Sequence, residues 1–135
     1  MATRLKLDVV TPERRVLAAD ADEVIAPGAD GLFGVRPGHT PYLAVMQPGP
    51  LTVREGTGLK KFFVSGGFVE VADDTVRVLA DTAEPLEGID LEGARKRIAD
   101  AESKLASLSP SVPAYAAQQL TVSKEKARLD AAQKR

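Results

Sequence analysis

The chain has no cysteine, no tryptophan and one histidine. Lacking thiols, it cannot build a disulfide scaffold or a zinc–thiolate site, and a single imidazole cannot belong to a His/Cys metal cluster. Aromatic residues make up only 4%, so the core has to come from Val, Leu, Ile and Ala. No apolar run approaches the ~20 residues that span a bilayer, and no basic-then-apolar signal opens the chain. Missing too are Gly-x-x-x-x-Gly-Lys-Ser/Thr, Gly-x-Gly-x-x-Gly between strand and helix, and Gly-x-Ser-x-Gly around Ser65. General bases are scarce beyond carboxylates. Of these, Asp73-Asp74 and Asp20-x-Asp22-Glu23 read as turn residues and a solvated strand edge rather than cation ligands. The sequence is not that of an enzyme in its own right, and neither a catalytic nor a metal site is expected.

What is present falls into two parts. With 44% hydrophobic and 27% charged residues in 135, the balance is that of a globular domain with an appendage. Residues 1–87 carry 9 Lys/Arg against 13 Asp/Glu, and residues 88–135 carry 9 against 6. The net charge of -1 therefore hides an acidic first part and a basic tail suited to an acidic partner. A negative net charge without a basic stripe of interleaved aromatics argues against nucleic acid.

Nine of the eleven glycines precede residue 68 and six of the nine prolines precede residue 51. Between them lie short runs of period two: Leu5, Leu7 and Val9, then Val76 and Val78, with Val24-Ile25, Leu51-Thr52-Val53, Lys61-Phe62-Phe63-Val64 and Phe68-Val69-Glu70-Val71. About ten short strands with close turn signals predict an all-β domain over 1–87, an antiparallel sandwich or barrel. After Gly88 the period changes. Leu91, Ala94, Ile98, Ala101, Leu105 and Leu108 recur at spacings of 3, 4, 3, 4 and 3, one stripe of a helix with Asp90 as N-cap. Glu92 with Lys96 and Asp100 with Lys104 are favourable i, i+4 pairs. Ser109-Pro110-Ser111-Val112-Pro113 ends that helix, and a second runs from about Ala114 to the C-terminus. Its expected buried stripe is Ala116, Leu120, Ser123, Ala127 and Ala131, small residues that bury little area. Residues 88–135 thus form an antiparallel two-helix hairpin, held marginally.

The order of several motifs resembles the epsilon subunit of F-type ATP synthases over essentially the whole chain. Leu7-Asp8-Val9-Val10-Thr11-Pro12 looks like that family's opening strand. Gly31-Leu32-Phe33-Gly34-Val35-Arg36-Pro37-Gly38-His39-Thr40-Pro41 is similar to its Gly-x-x-Gly-x-x-Pro-Gly-His-x-Pro loop. Ser65-Gly66-Gly67-Phe68-Val69-Glu70-Val71 and Val76-Arg77-Val78-Leu79-Ala80-Asp81 match two further strand segments.

The resemblance implies a β-sandwich followed by a helical hairpin, in a non-catalytic rotor subunit of the central stalk. Such a subunit links gamma to the c-ring, couples proton translocation to ATP synthesis, and inhibits ATP hydrolysis when its hairpin extends into the alpha/beta head. It implies c-ring contacts at Asp30, Gly31 and His39, although His39 can equally pack in its turn or bond a backbone carbonyl. It implies a beta-subunit contact at Lys124, Lys126 and Arg128, in a tail whose residues 124–135 hold five basic residues (Lys124, Lys126, Arg128, Lys134, Arg135) against Glu125 and Asp130. A basic helix end complementing its own macrodipole is the plainer account.

For the ATP bound by some members, Glu84, Ile89, Asp90, Ala94, Lys124 and Arg128 match. Gly93, however, stands where the family motif has Arg, so weak or absent ATP binding and no cofactor are expected. The implied location is peripheral, on the cytoplasmic face of a bacterial inner membrane and touching the membrane only through the complex, or else on a plastid thylakoid. The alternative reading is a free-standing cytoplasmic adaptor that binds an acidic protein.

Overall fold

The computed structural model describes residues 4–134. Arg135, counted above among the basic tail residues, lies outside them. Ten strands come first: β1 (Leu5–Val10), β2 (Arg15–Ala21), β3 (Glu23–Gly28), β4 (Gly31–Val35), β5 (Tyr42–Met46), β6 (Gly49–Glu55), β7 (Gly58–Val64), β8 (Gly67–Ala72), β9 (Thr75–Ala80) and β10 (Ala83–Pro85). A 3-10 turn, Leu86–Gly88, precedes the helices α1 (Leu91–Ala106) and α2 (Pro113–Gln133). The chain divides into two compact units, residues 1–86 and 87–135.

In the first unit the sheet order is β10-β7-β6-β3-β5-β8-β9-β1-β2, with β4 paired to β3. A single register pair, Gly28↔Met46, joins β3 to β5. So weak a seam lets the sheet bend there into two layers. The period-two alternation then turns one set of side chains inward: Leu5, Leu7 and Val9 of β1, Val69 and Val71 of β8, and Val76 and Val78 of β9 meet Val24, Leu51, Val53, Phe62 and Val64 in one core. Branched aliphatic side chains fill this space with few aromatics, as the composition required. Burying each contributes about 1.5–3 kcal/mol.

The polar residues of the turns hold the ends together. Asp73 and Asp74 sit at φ 50° and 57°, forming the two-residue turn between β8 and β9 that favours Asp, Asn or Gly. Asp22 accepts a 2.6 Å hydrogen bond from the backbone N–H of Gly56, which ties the β2–β3 corner to the β6–β7 turn. That bond, joined by Arg4 and Arg54 and opposed by partial desolvation, holds the Asp22 carboxyl below its ordinary range. Asp73, Asp74 and Asp22 thus serve as turn residues, while Asp20 and Glu23 lie on strands β2 and β3.

The Ser65-Gly66-Gly67 motif has a steric origin. Gly66 and Gly67 adopt φ of 125° and 119°, and a Cβ at Gly67 would overlap the Leu79 carbonyl oxygen. Only glycine lets β8 enter the ladder beside β9 at this point.

In the second unit the stripe read from the sequence of α1 is the buried one. Ala94, Ile98 and Ala101 are buried, with Leu91, Leu105 and Leu108 half-buried. Asp90 occupies the N-cap position but its side chain makes no capping bond, and Glu92 pairs with Arg95 at 2.6 Å. Pro113 opens α2, where its missing N–H has no intrahelical partner to lose. The face of α2 matches the expected one only at its C-terminal end, where Ala131 is buried and Ala127 half-buried. Leu120 is 74% exposed, and Ala116 and Ser123 are exposed with it. The more protected stripe is Tyr115, Gln118, Val122, Glu125, Leu129 and Ala132, again at spacings of 3 and 4. Hydrophobicity missed it because a carboxylate sits at its middle, and Glu125 is tolerated there because two arginines neutralise it.

Replacing Gly67 with alanine should cost on the order of 3 kcal/mol of stability in denaturant unfolding, since φ and space both forbid a side chain. Gly88→Ala, where a Cβ meets nothing within 4 Å, should stay within about 0.5 kcal/mol.

Candidate functional site

The loop holding the lone histidine is fixed from three sides. Glu23 of β3 accepts from Arg36 at 3.1 Å and lies 3.6 Å from Arg54, so the loop's first turn is anchored to the sheet. The N–H of Gly38 donates to Asp74 Oδ1 at 2.7 Å, which binds the loop to the β8–β9 turn. Gly38 itself has φ 86°, a conformation that favours glycine. The His39 N–H donates to the Arg36 carbonyl at 3.1 Å, and its Nδ1 lies 2.7 Å from the Thr40 carbonyl oxygen.

His39 is thus half-buried and bonded to a backbone carbonyl within its own turn. Its ring lies 6.1 Å from that of Tyr42, which packs edge-on against Phe33 at 5.4 Å. This row of rings links the loop to β4, whose first residue, Gly31, ends the Asp30–Gly31 turn. Asp30 and Gly31 are exposed, Gly31 at φ 127° with nothing within 4 Å of its Cβ direction. A shallow groove runs between this turn and β5, lined by Asp30, Gly31, Leu32, Phe33, Tyr42, Leu43 and Val45. Leu32 and Leu43 on its walls are 64% and 67% exposed.

Beside the groove lies a feature that motif reading did not single out. The register aligns Val45 with Phe68, Phe68 with Leu79, and Leu79 with Val10 across β5, β8, β9 and β1. All four point away from the core, and Val45, Phe68 and Leu79 stay about half exposed. The next rung on the same face is Leu43, Glu70, Arg77 and Asp8, with Glu70 and Arg77 3.8 Å apart and Asp8 paired to Arg15 at 2.9 Å. An apolar rung beside a charged one is a patch with a direction. The sequence does signal it: Val9-Val10, Phe68-Val69 and Val78-Leu79 put apolar residues on both faces of strands in a mostly antiparallel sheet, whose strands ordinarily keep one face polar.

The hairpin residues sort as follows. Lys126 is exposed and Lys124 half-buried. Arg128 donates to Glu125 Oε2 at 2.7 Å, and Arg97 of α1 lies 3.1 Å from Glu125 Oε1. Side-chain exposure is 9% for Glu125, 13% for Arg128 and 46% for Arg97. The role of Glu125 was missed because burial of a carboxylate depends on partners that spacing alone does not reveal. Exposed ion pairs contribute about 0–1 kcal/mol, whereas removing one member of a buried pair costs about 3–5 kcal/mol.

Of the residues matched to the nucleotide motif, Glu84 lies on β10, Ile89 and Ala94 are buried, and Asp90 is exposed. A Cβ at Gly93 would come 2.6 Å from Asp90 Oδ2 and 3.4 Å from an Arg97 nitrogen. The missing side chain leaves room that the Asp90 carboxylate occupies. Among the described residues, no group of three or more His, Cys, Asp or Glu is arranged to hold a metal ion, and no helix is long and apolar enough to cross a membrane.

Comparison with known proteins gives this geometry a family. Residues 4–86 match the model described as ATP synthase, Delta/Epsilon chain, beta-sandwich domain. The chain is 52% identical to the ATP synthase epsilon chain of Myxococcus xanthus over 96% of its own length and 95% of that protein's. It is 46% identical to the ATP synthase epsilon chain of Anaeromyxobacter dehalogenans strain 2CP-1, covering 95% and 97% respectively. Among solved structures it superposes with TM-score 0.86 and 26% identity on a chain of the Euglena gracilis mitochondrial ATP synthase OSCP/F1/c-ring assembly, covering 98% of this chain and 83% of that one. The motif series, the bent ten-stranded sheet with its helical hairpin, and identity along nearly the whole length agree: the chain belongs to the ATP synthase epsilon chain family.

Proposed function

We propose that this chain is a non-catalytic rotor subunit of the central stalk, working at the cytoplasmic face of a bacterial inner membrane as a peripheral part of its complex. The observation that carries this reading is the in-register apolar rung Val45–Phe68–Leu79–Val10 on an outward sheet face. Aliphatic and aromatic side chains aligned over four strands are too ordered to be scattered surface residues, and they mark an interface. Gamma is the partner assigned to this face, because a shaft that transmits torque needs a broad, water-excluding contact. The groove at Asp30, Gly31 and Leu32, with the loop of His39 held next to Tyr42, is assigned to the c-ring.

The hairpin is the regulatory arm. Its two helices bury few large apolar side chains, so the folded pair and an extended form differ by a small free energy, as a switch requires. Lys124 and Lys126 offer charge to an acidic segment of the catalytic beta subunit, and Arg128 is already engaged with Glu125 in the folded hairpin. Nucleotide is not the regulator here. With Gly93 in place of arginine, the bidentate phosphate contact is missing, and Lys elsewhere does not replace it.

Three measurements test these assignments. Phe68→Glu combined with Leu79→Glu should weaken association with gamma by at least about 100-fold, since buried interface charges without partners cost several kcal/mol. The outward position should leave the fold intact, and unchanged co-purification with gamma, alpha and beta chains would refute the docking face. Deleting residues 88–135 should raise ATP hydrolysis by the assembled complex with coupling largely kept; unchanged hydrolysis would remove the inhibitory role and leave the rotor role. Calorimetric titration of the full chain with ATP should show no binding in the micromolar range.

A further inference from the structure

We propose that Glu125 is a built-in latch of the hairpin, a carboxylate that ties Arg97 of α1 to Arg128 of α2 and keeps the helices together without any bound anion. Glu125 is the one buried charged residue among those described, 7% exposed. Its two oxygens are divided between the helices, Oε1 lying 3.1 Å from Arg97 Nε and Oε2 2.7 Å from Arg128 Nη1. It lies mid-stripe on α2, between Val122 and Leu129, where a neutral aliphatic side chain would ordinarily pack.

The carboxylate is not an incidental surface pair. Glu125 sets a carboxylate between the guanidinium groups of Arg97 and Arg128, with Lys124 half-buried on the same helix. Like charges at such a distance repel, and the low dielectric of a protected seam magnifies the effect. With Glu125 in place, the three groups carry a net charge of one positive unit and each guanidinium has an acceptor. The apolar part of the seam consists of buried Ala94, Ile98, Ala101 and Ala132 with half-buried Leu105, Val122 and Leu129. Of the triad, the Arg97–Glu125 bridge is the arm that crosses from α1 to α2, and it selects one register of the two helices.

A latch of this kind is also exchangeable. Another carboxylate presented to Arg97 and Arg128 makes equivalent bonds, so an acidic partner can open the pair without paying for exposed hydrocarbon. An aliphatic residue at position 125 would close the hairpin without that option.

The absence of cysteine makes the test clean. In the full chain, Lys96→Cys and Gln133→Cys place spin labels at exposed positions on the two helices, and pulsed dipolar spectroscopy reads the distance between them. The parent should give one short-distance population. Glu125→Gln, which keeps volume and removes charge, should raise the long-distance fraction at least tenfold, and Arg97→Glu alone should do the same. The pair Arg97→Glu with Glu125→Arg should return the labels to the short distance. Helix loss by circular dichroism in the single variants that the charge swap restores also supports the latch. A distribution in Glu125→Gln identical to the parent, or opening that the swap does not reverse, would overturn it. These distances are measured on the isolated chain, so they stand or fall apart from any inhibition of hydrolysis.

Discussion

The two-residue period of the strands is the constraint on which the sandwich depends. Along β1, β8 and β9 each inward Val or Leu fixes the position of its outward neighbour, and the register of three ladders carries that choice from strand to strand. A slip of one residue would turn Phe68 and Leu79 into the core and bring Val69 and Val78 out. Because burying Val69 and Val78 stabilises the fold, the core itself aligns the outward rung. The outward apolar patch is therefore no independent addition. It is the reverse side of the packing, and Gly67 protects its register by allowing β8 to approach the Leu79 carbonyl where no other residue fits.

The hairpin follows a different rule. Its seam pairs a stripe of moderate hydrophobicity on α1 with a stripe on α2 whose centre is a carboxylate. Dispersion and area burial favour contact anywhere along two apolar helices, whereas a divided ion pair favours one register only. Arg97 is nearly half exposed and Arg128 is nearly buried, so the two arms of the triad differ in strength. Solvent screens the first, and the second behaves as a desolvated pair. The α1 arm, the one that crosses between the helices, is then the weaker one.

Much of this was legible in the residues. The alternation in Leu5–Val9 and Val76–Val78 places the core side of two neighbouring strands, and the α1 stripe from Leu91 to Leu108 is buried as its spacing requires. Turn chemistry was equally readable, since paired acids at Asp73-Asp74 adopt the left-handed conformations that such residues tolerate. The α2 face was not. Hydrophobic periodicity selects alanines and Leu120 there, yet the more protected stripe contains Gln118 and Glu125, the latter held by Arg97 of the other helix and Arg128 of its own. Nor does a sequence disclose that Glu23 and Asp74, distant along the chain, both hold the loop of His39. Such long-range hydrogen bonds leave no periodic trace.

The two units thus bind by forces with opposite consequences. The sandwich offers apolar side chains held in register by its own core. Such contacts are non-directional and weakened little by salt, and they suit an attachment that must persist through rotation. The hairpin offers charges already satisfied internally, and a competitor replaces them one for one with little net change in desolvation. The free energy of that exchange is small because the same guanidinium groups are bonded before and after. Under the proposed assignments, a permanent joint and a reversible arm occupy one short chain without interfering, because the joint uses hydrocarbon and the arm uses ion pairs.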